Sequence, residues 1–311
     1  MNSYLGLSAA FTSSLTWAVG VIAFTPFSKK HPAYIINLHR ILLGLPAFLI
    51  VLLLQGRLWS AASLINSTNA SWAAVAVLAS YAFGDVLFLM ATKRLGAPAA
   101  LAIASTYPVF SALEAMVFRG ESLPFAKYVG IAIVIIGTIF VILSGSTSHE
   151  PVPSVARMQD NAYARSRFTN DHRSGVLLAF GCAICWAMNT VAISEVGQSL
   201  DAITLNAFRL MIALVLCPLI GITMHGTKSF KLISRKEFVP VIPIFAVEAI
   251  GGPFFYVYGL SHAPLAIGAA LTSLAPVLTV PLALALGQEK FSWTRTLGVI
   301  TVVAGIWVMV F

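Results

Sequence analysis

Asp85, Glu114 and Glu248 most need a chemical explanation, because each stands deep inside a long apolar stretch. Insertion scales put a charged side chain at the centre of a membrane helix at a cost of about 2.5–3.5 kcal/mol. A carboxylate kept at that cost is a candidate contact for a small molecule or a proton, since a carboxyl group in an apolar cavity can exchange protons near neutral pH. A fixed ion pair or a hydrogen bond to a neighbouring stretch is the structural alternative for each. Hydroxyls and aromatics recur nearby. Ser105, Thr106 and Tyr107 precede Pro108, and Ser273 precedes Pro276. Trp17, Trp186, Tyr81 and Tyr256 offer flat faces for a stacking pocket, although such aromatics also serve as interfacial anchors. Asn189, three residues past Trp186, adds a polar group in mid-stretch.

Each of the two prolines frees a backbone carbonyl four residues upstream, at Ala104 and Thr272. In lipid such a carbonyl must find another donor or face a cavity. Pro108 and Pro276 are therefore expected to act as hinges beside a polar binding surface. Arg40 and Arg209 lie about two turns into their stretches, where a long side chain can reach back to the interface, so a structural role is expected for both. His39 reads as a packing or capping residue. Glu121 and Glu289 fall between consecutive stretches and read as caps or turn residues.

These groups must be positioned by membrane helices. Of 311 residues, 59% are hydrophobic and 10% charged, with mean hydropathy +0.89. A soluble domain carries about 25% charged residues, so the solvent of this chain is the lipid bilayer. Ten apolar segments fall at approximately 4–26, 33–54, 71–92, 97–118, 124–144, 174–196, 202–222, 238–259, 263–286 and 293–311. Each is near the ~20 residues that a helix needs to cross ~30 Å of hydrocarbon. Strands of a membrane barrel would instead alternate over ~10 residues. The expected fold class is an all-α membrane protein of ten transmembrane helices. The first segment has no Lys or Arg ahead of it and no clear cleavage site, so it reads as a span, not a removed leader.

Several functions are excluded. The net charge of +8 comes from basic residues dispersed at segment ends, where they set topology, so no nucleic-acid partner is expected. Three cysteines do not make a disulfide scaffold, and Cys182 and Cys185 lie in an apolar run that suits packing, not redox work. There is no GxxxxGK[ST], HExxH or GxSxG, and no Cys/His cluster of metal spacing. Neither an enzyme, an ATP-driven pump, a metal site nor a cofactor is expected.

The chain repeats itself. Pro108, Glu121, Gly130 and Gly137 return as Pro276, Glu289, Gly298 and Gly305, all 168 residues on. Trp17 returns as Trp186, and the string from Asn37 to Arg40 as that from Asn206 to Arg209, at 169. Ala97-Pro98 returns as Ala263-Pro264 at 166. A fixed period of this kind marks a duplicated unit. Residues 1–145 form the first five-helix unit and 174–311 the second, with a flexible polar linker at 146–173. Asp85 and Glu248 find no counterpart at these offsets, and Glu114 meets Leu282. Five crossings are an odd number, so the second unit must enter the membrane upside down. Inverted repeats that bind a substrate near the midplane are a common plan for secondary transporters.

The segment ends hold 17 of the 19 Lys and Arg residues; fourteen follow odd-numbered segments and three follow even-numbered ones. The positive-inside rule then places both termini outside.

The two P-x(12)-E units, the early Trp17 and Trp186, the paired Arg40 and Arg209, and the run from Ser105 to Phe110 together resemble the drug/metabolite transporter superfamily, in its EamA-type ten-helix branch. The likeness covers nearly the whole chain except the linker. It implies a basket of ten helices with a central cavity lined by helices one, three, four, six, eight and nine. Trp17, Asp85, Tyr107, Glu114, Asn189 and Glu248 would then stand nearer the cavity than Arg40 and Arg209. Family members export or exchange amino acids, other metabolites and toxic compounds, and relatives carry nucleotide sugars or phosphorylated sugars. Relatives usually have a basic loop after helix two and both termini in the cytoplasm, whereas this loop holds only Arg57. The expected function is secondary transport of small metabolites in the cell (inner) membrane, with protons as coupling partner through the buried carboxylates. A channel or a non-transporting scaffold is the alternative.

Overall fold

The computed structural model describes residues 2–119, 124–144, 160–197, 199–226, 231–263, 268 and 271–310. Among these, all regular structure is helical. The main helices are α1 (Asn2–Lys30), α2 (Ala33–Leu54), α3 (Ser67–Leu95), α4 (Ala97–Ala104), α5 (Tyr107–Arg119), α6 (Phe125–Leu143), α7 (Asp160–Val196), α8 (Ala202–His225), α9 (Arg235–His262), α10 (Ala275–Ala285) and α11 (Trp293–Val310). Seven of them, α1, α2, α3, α6, α7, α8 and α9, are long and apolar enough to cross a bilayer; α10 and α11 are shorter and apolar.

Two expectations need correcting. The fourth apolar segment is two helices, with Ser105 and Thr106 forming the break between α4 and α5. The linker is not wholly irregular, because α7 already begins at Asp160. Residue 145, residues 146–159 of the linker, and Glu121 lie outside the described residues.

Small residues decide which helices touch. Every residue of α4 is buried, and its five alanines let neighbouring backbones approach. In α6 only 28% of the apolar window is buried, against 61% in α2. Ile135, Ile136, Ile139 and Phe140 are exposed along α6, as a lipid-facing helix requires.

Two pairs of equivalent helices, α6 with α11 and α2 with α8, lie side by side and antiparallel. On α6 and α11 the repeated glycines form the seam. A Cβ on Gly137 would meet the Val302 nitrogen at 2.5 Å and the Gly298 carbonyl oxygen at 2.9 Å, and one on Gly305 the Gly130 carbonyl oxygen at 2.8 Å. On α2 and α8, Tyr34 lies against Gly221 at one end, while Arg57 pairs with Asp201 at 2.6 Å at the other. Residue numbers rise along one helix as they fall along its partner.

Both α3 and α9 contain one π-helical turn, Leu78–Ala82 and Val247–Gly251, with a glycine one or two residues past its end, Gly84 and Gly252. Such widened turns re-aim side chains and often occur at functional sites. They stand 169 residues apart and both border the central cavity.

Candidate functional site

The cavity has a volume of about 120 Å³ and lies among α1, α2, α3, α7, α8, α9 and the helix breaks before α5 and α10. Arg40, 4% exposed, is part of its lining. The Arg40 Nε donates to Glu248 Oε2 at 2.8 Å and Nη2 to Glu248 Oε1 at 2.5 Å. Nη1 donates to Asp85 Oδ2 at 2.5 Å and to Asn37 Oδ1 at 2.9 Å. The guanidinium also faces the rings of Trp17, Phe24 and Tyr81, each 5.1–5.3 Å from its carbon. Two carboxylates, one fork-to-fork, neutralise this cation and hold its plane. Asp85 accepts a further hydrogen bond from Trp186 Nε1 at 3.1 Å.

Arg209 occupies the equivalent place in the second unit but meets only neutral groups. It donates to Ser80 Oγ at 3.2 Å, Asn189 Oδ1 at 3.0 Å and Asn206 Oδ1 at 3.4 Å. The asparagine three residues before each arginine thus does the same work twice. Asn37 also donates to the Tyr81 carbonyl, and Asn206 to the Pro253 carbonyl, tying each arginine helix to a π-turn or its edge.

Trp17 and Trp186, partners across the duplication, meet edge to face with centroids 5.5 Å apart. The two helix breaks also meet, because Tyr107 and Thr272 hydroxyls share a hydrogen bond of 2.7 Å. Tyr256 is held by Thr190 at 2.8 Å. The result is a wall of aromatic faces interrupted by two cations and two carboxylates, suited to a small amphipathic solute.

Of the residues singled out in the sequence, Trp17, Tyr81, Asp85, Ser105, Tyr107, Trp186, Asn189, Glu248 and Tyr256 line the cavity. Thr106 and Ser273 are buried but do not line it; Thr106 donates to the Ile103 carbonyl, and Ser273 bonds Tyr107. Glu114 is half-buried on α5 and is not in the lining. Pro108 and Pro276 do not kink continuous helices. Each sits in the first turn of a new helix, where its missing N–H costs nothing.

The main correction concerns Arg40 and Arg209. Both were expected to reach outward to the interface, and both instead point to the centre. The reason is local: acceptors on α3, α7 and α9 wait for them inside. The repeated N-x-x-R string was the signal that marked them. The matched π-turns set Glu248 opposite Ala79, so its charge has no counterpart in the first unit.

A family model, the EamA-like transporter family, matches residues 4–143 and 173–311. A search of curated proteins finds no match. A solved structure described only as the crystal structure of a protein is 17% identical, with a TM-score of 0.66 over 98% of this chain and 96% of its own. That likeness concerns the fold.

Proposed function

The chain belongs to the EamA-like transporter family of the drug/metabolite transporter superfamily, as an integral multi-pass membrane protein, and from that premise we propose that it is a secondary transporter of small metabolites, such as amino acids or related compounds. In this reading ten spans form two inverted five-helix units in the cell (inner) membrane. The units rock about a midplane site, opening it to each side in turn. The observation that carries the reading is the ion pair from Arg40 on α2 to Glu248 on α9, which joins the two units across the central cavity. A contact of that kind has to be kept or exchanged when the units move. Proton uptake by Glu248 or Asp85 would release Arg40, which gives the carboxylates a coupling role.

Flux in proteoliposomes tests the proposal. Uptake of a metabolite that responds to a pH gradient is expected, and Asp85→Asn or Glu248→Gln is expected to reduce the flux or remove its pH response. No flux of any metabolite, with or without the gradient, would sink the carrier reading. Wild-type pH response in both variants would remove these carboxylates from coupling.

A further inference from the structure

We infer that Arg209 is the docking point for a carboxylate carried by the transported solute, an inference that rests on the carrier reading and narrows it. The duplication supplies the argument. Arg40 and Arg209 are equivalent, 169 residues apart, and each reaches a π-turn of the opposite unit. At that turn Arg40 finds Glu248, while Arg209 finds only the hydroxyl of Ser80. At the 169-residue offset of the arginines and the π-turns, Glu248 and Asp85 stand opposite Ala79 and Phe254, neither of which has a side-chain acceptor. One arginine is therefore doubly neutralised and its twin has lost both anions.

Arg209 is 3% exposed, and among the described residues no carboxylate comes within ion-pair distance of it. Its Nε is buried and meets no acceptor. A buried cation held only by neutral dipoles is costly, and an entering anion relieves that cost. A carboxylate oxygen can accept from the free Nε–H, and its second oxygen can take over the Nη2 hydrogen now given to Ser80 or Asn189, which completes the bidentate geometry that guanidinium favours. Ser80 and Asn189, already on Nη2, flank that position.

Charge selects carboxylate over phosphate. Among the lining residues Arg40 is paired with both Asp85 and Glu248, which leaves Arg209 as the cation without a carboxylate. One added negative charge is matched by Arg209; a second would face Asp85 with no cation left. The aromatic wall of Trp17, Trp186 and Tyr107 takes the apolar end of the solute. A cavity of about 120 Å³ compares with the ~150 Å³ that admits benzene, so the solute has roughly half a dozen heavy atoms.

Butyrate, butyramide and inorganic phosphate are the probes, read by thermal shift of the purified protein and by flux in proteoliposomes. Butyrate is expected to stabilise the protein saturably, with butyramide weaker by about tenfold or more, because the amide offers no charge to Arg209. Arg209→Gln should remove that preference, and Arg209→Lys should keep part of it. Ser80→Asp guards against misfolding of these variants. It places an anion where Arg209 now meets a hydroxyl, so it should hold or raise the melting temperature while abolishing butyrate binding. Equal binding of butyrate and butyramide, tighter binding of phosphate, no effect of butyrate, or wild-type butyrate binding in Ser80→Asp would each overturn the assignment. The carrier reading fails separately: bound butyrate that is not transported defeats it and leaves the docking point, whereas flux of neutral solutes without butyrate binding does the reverse.

Discussion

Arg40 on α2 and Glu248 on α9 are joined by two parallel hydrogen bonds, of 2.8 and 2.5 Å, with both side chains almost wholly buried. Removing one member of a buried pair strands the other, at a cost of roughly 3–5 kcal/mol. Glu248→Gln is therefore expected to lower stability by about that much, moderated by the partner oxygen that glutamine retains. Arg40→Met should cost more, because it leaves both Glu248 and Asp85 without their cation. Thermal unfolding in detergent orders the two variants; an Arg40→Met protein more stable than Glu248→Gln would contradict the pairing.

The seam between α6 and α11 gives a second expectation. Glycine to alanine inside a helix normally gains about 0.5–1 kcal/mol from backbone entropy. At Gly137 the new Cβ would fall 2.5 Å from the backbone nitrogen of Val302, which cannot rotate away. Overpacking of this kind costs about 1–3 kcal/mol, so the clash wins. Gly137→Ala and Gly298→Ala should each lower the unfolding temperature, whereas Gly56→Ala, with open space around it, should not act through packing. Unchanged stability in both seam variants would mean that the two helices are not held backbone to backbone.

Much of this was legible in the sequence. The offsets of 168 and 169 found the glycine seam, the paired tryptophans and the paired arginines before any helix was placed, and the buried positions of Asp85 and Glu248 located the site. What stayed hidden was direction. A side chain two turns into a helix points inward or outward according to what waits there, and the acceptors for Arg40 are 45 and 208 residues away. Glu114 shows the converse: its apolar surroundings in sequence resemble those of Asp85, yet α5 does not bring it to the cavity. The π-turns were likewise invisible, because a one-residue widening leaves the apolar period almost unchanged.

Just past the C-terminal end of α2, Arg57 binds Asp201, which also caps α8 by accepting hydrogen bonds from the Ile203 and Thr204 backbone nitrogens. Partial burial alone would raise the Asp201 carboxyl, but hydrogen bonds from Thr204 and Arg57 outweigh it and hold the group below the ordinary carboxylate range. A depressed folded-state value means that the stabilisation is present above the unfolded carboxylate's titration and is lost as pH falls through the folded one. Stability is thus expected to be flat near neutrality and to decline on acidification below the ordinary carboxylate range. Both partners are more than a third exposed, so the ion pair itself contributes under about 1 kcal/mol and fades with salt. Asp201→Ala loses the cap as well, about 0.5–2 kcal/mol, while Asp201→Asn keeps it. Unfolding measured from neutral to acid pH should show the gap between wild type and Asp201→Ala closing as pH falls; a constant gap would rule out the linkage.

The helix breaks that carry Tyr107 and Thr272 belong to opposite units and touch through one hydrogen bond of 2.7 Å. If the units rock about the cavity, this contact must part in one of the two states. Cysteines at 107 and 272, in a chain cleared of Cys182, Cys185 and Cys217, can be joined by a short thiol crosslinker. The joined protein is expected to lose flux and to recover it when a cleavable linker is cut, since the cut restores movement without restoring either original side chain. The same double variant before crosslinking sets the reference, which separates loss of the hydroxyl pair from loss of motion. Flux that is equal before and after crosslinking would show that the two breaks stay together through the cycle, and the moving contact would then have to be sought at Arg40 and Glu248 instead.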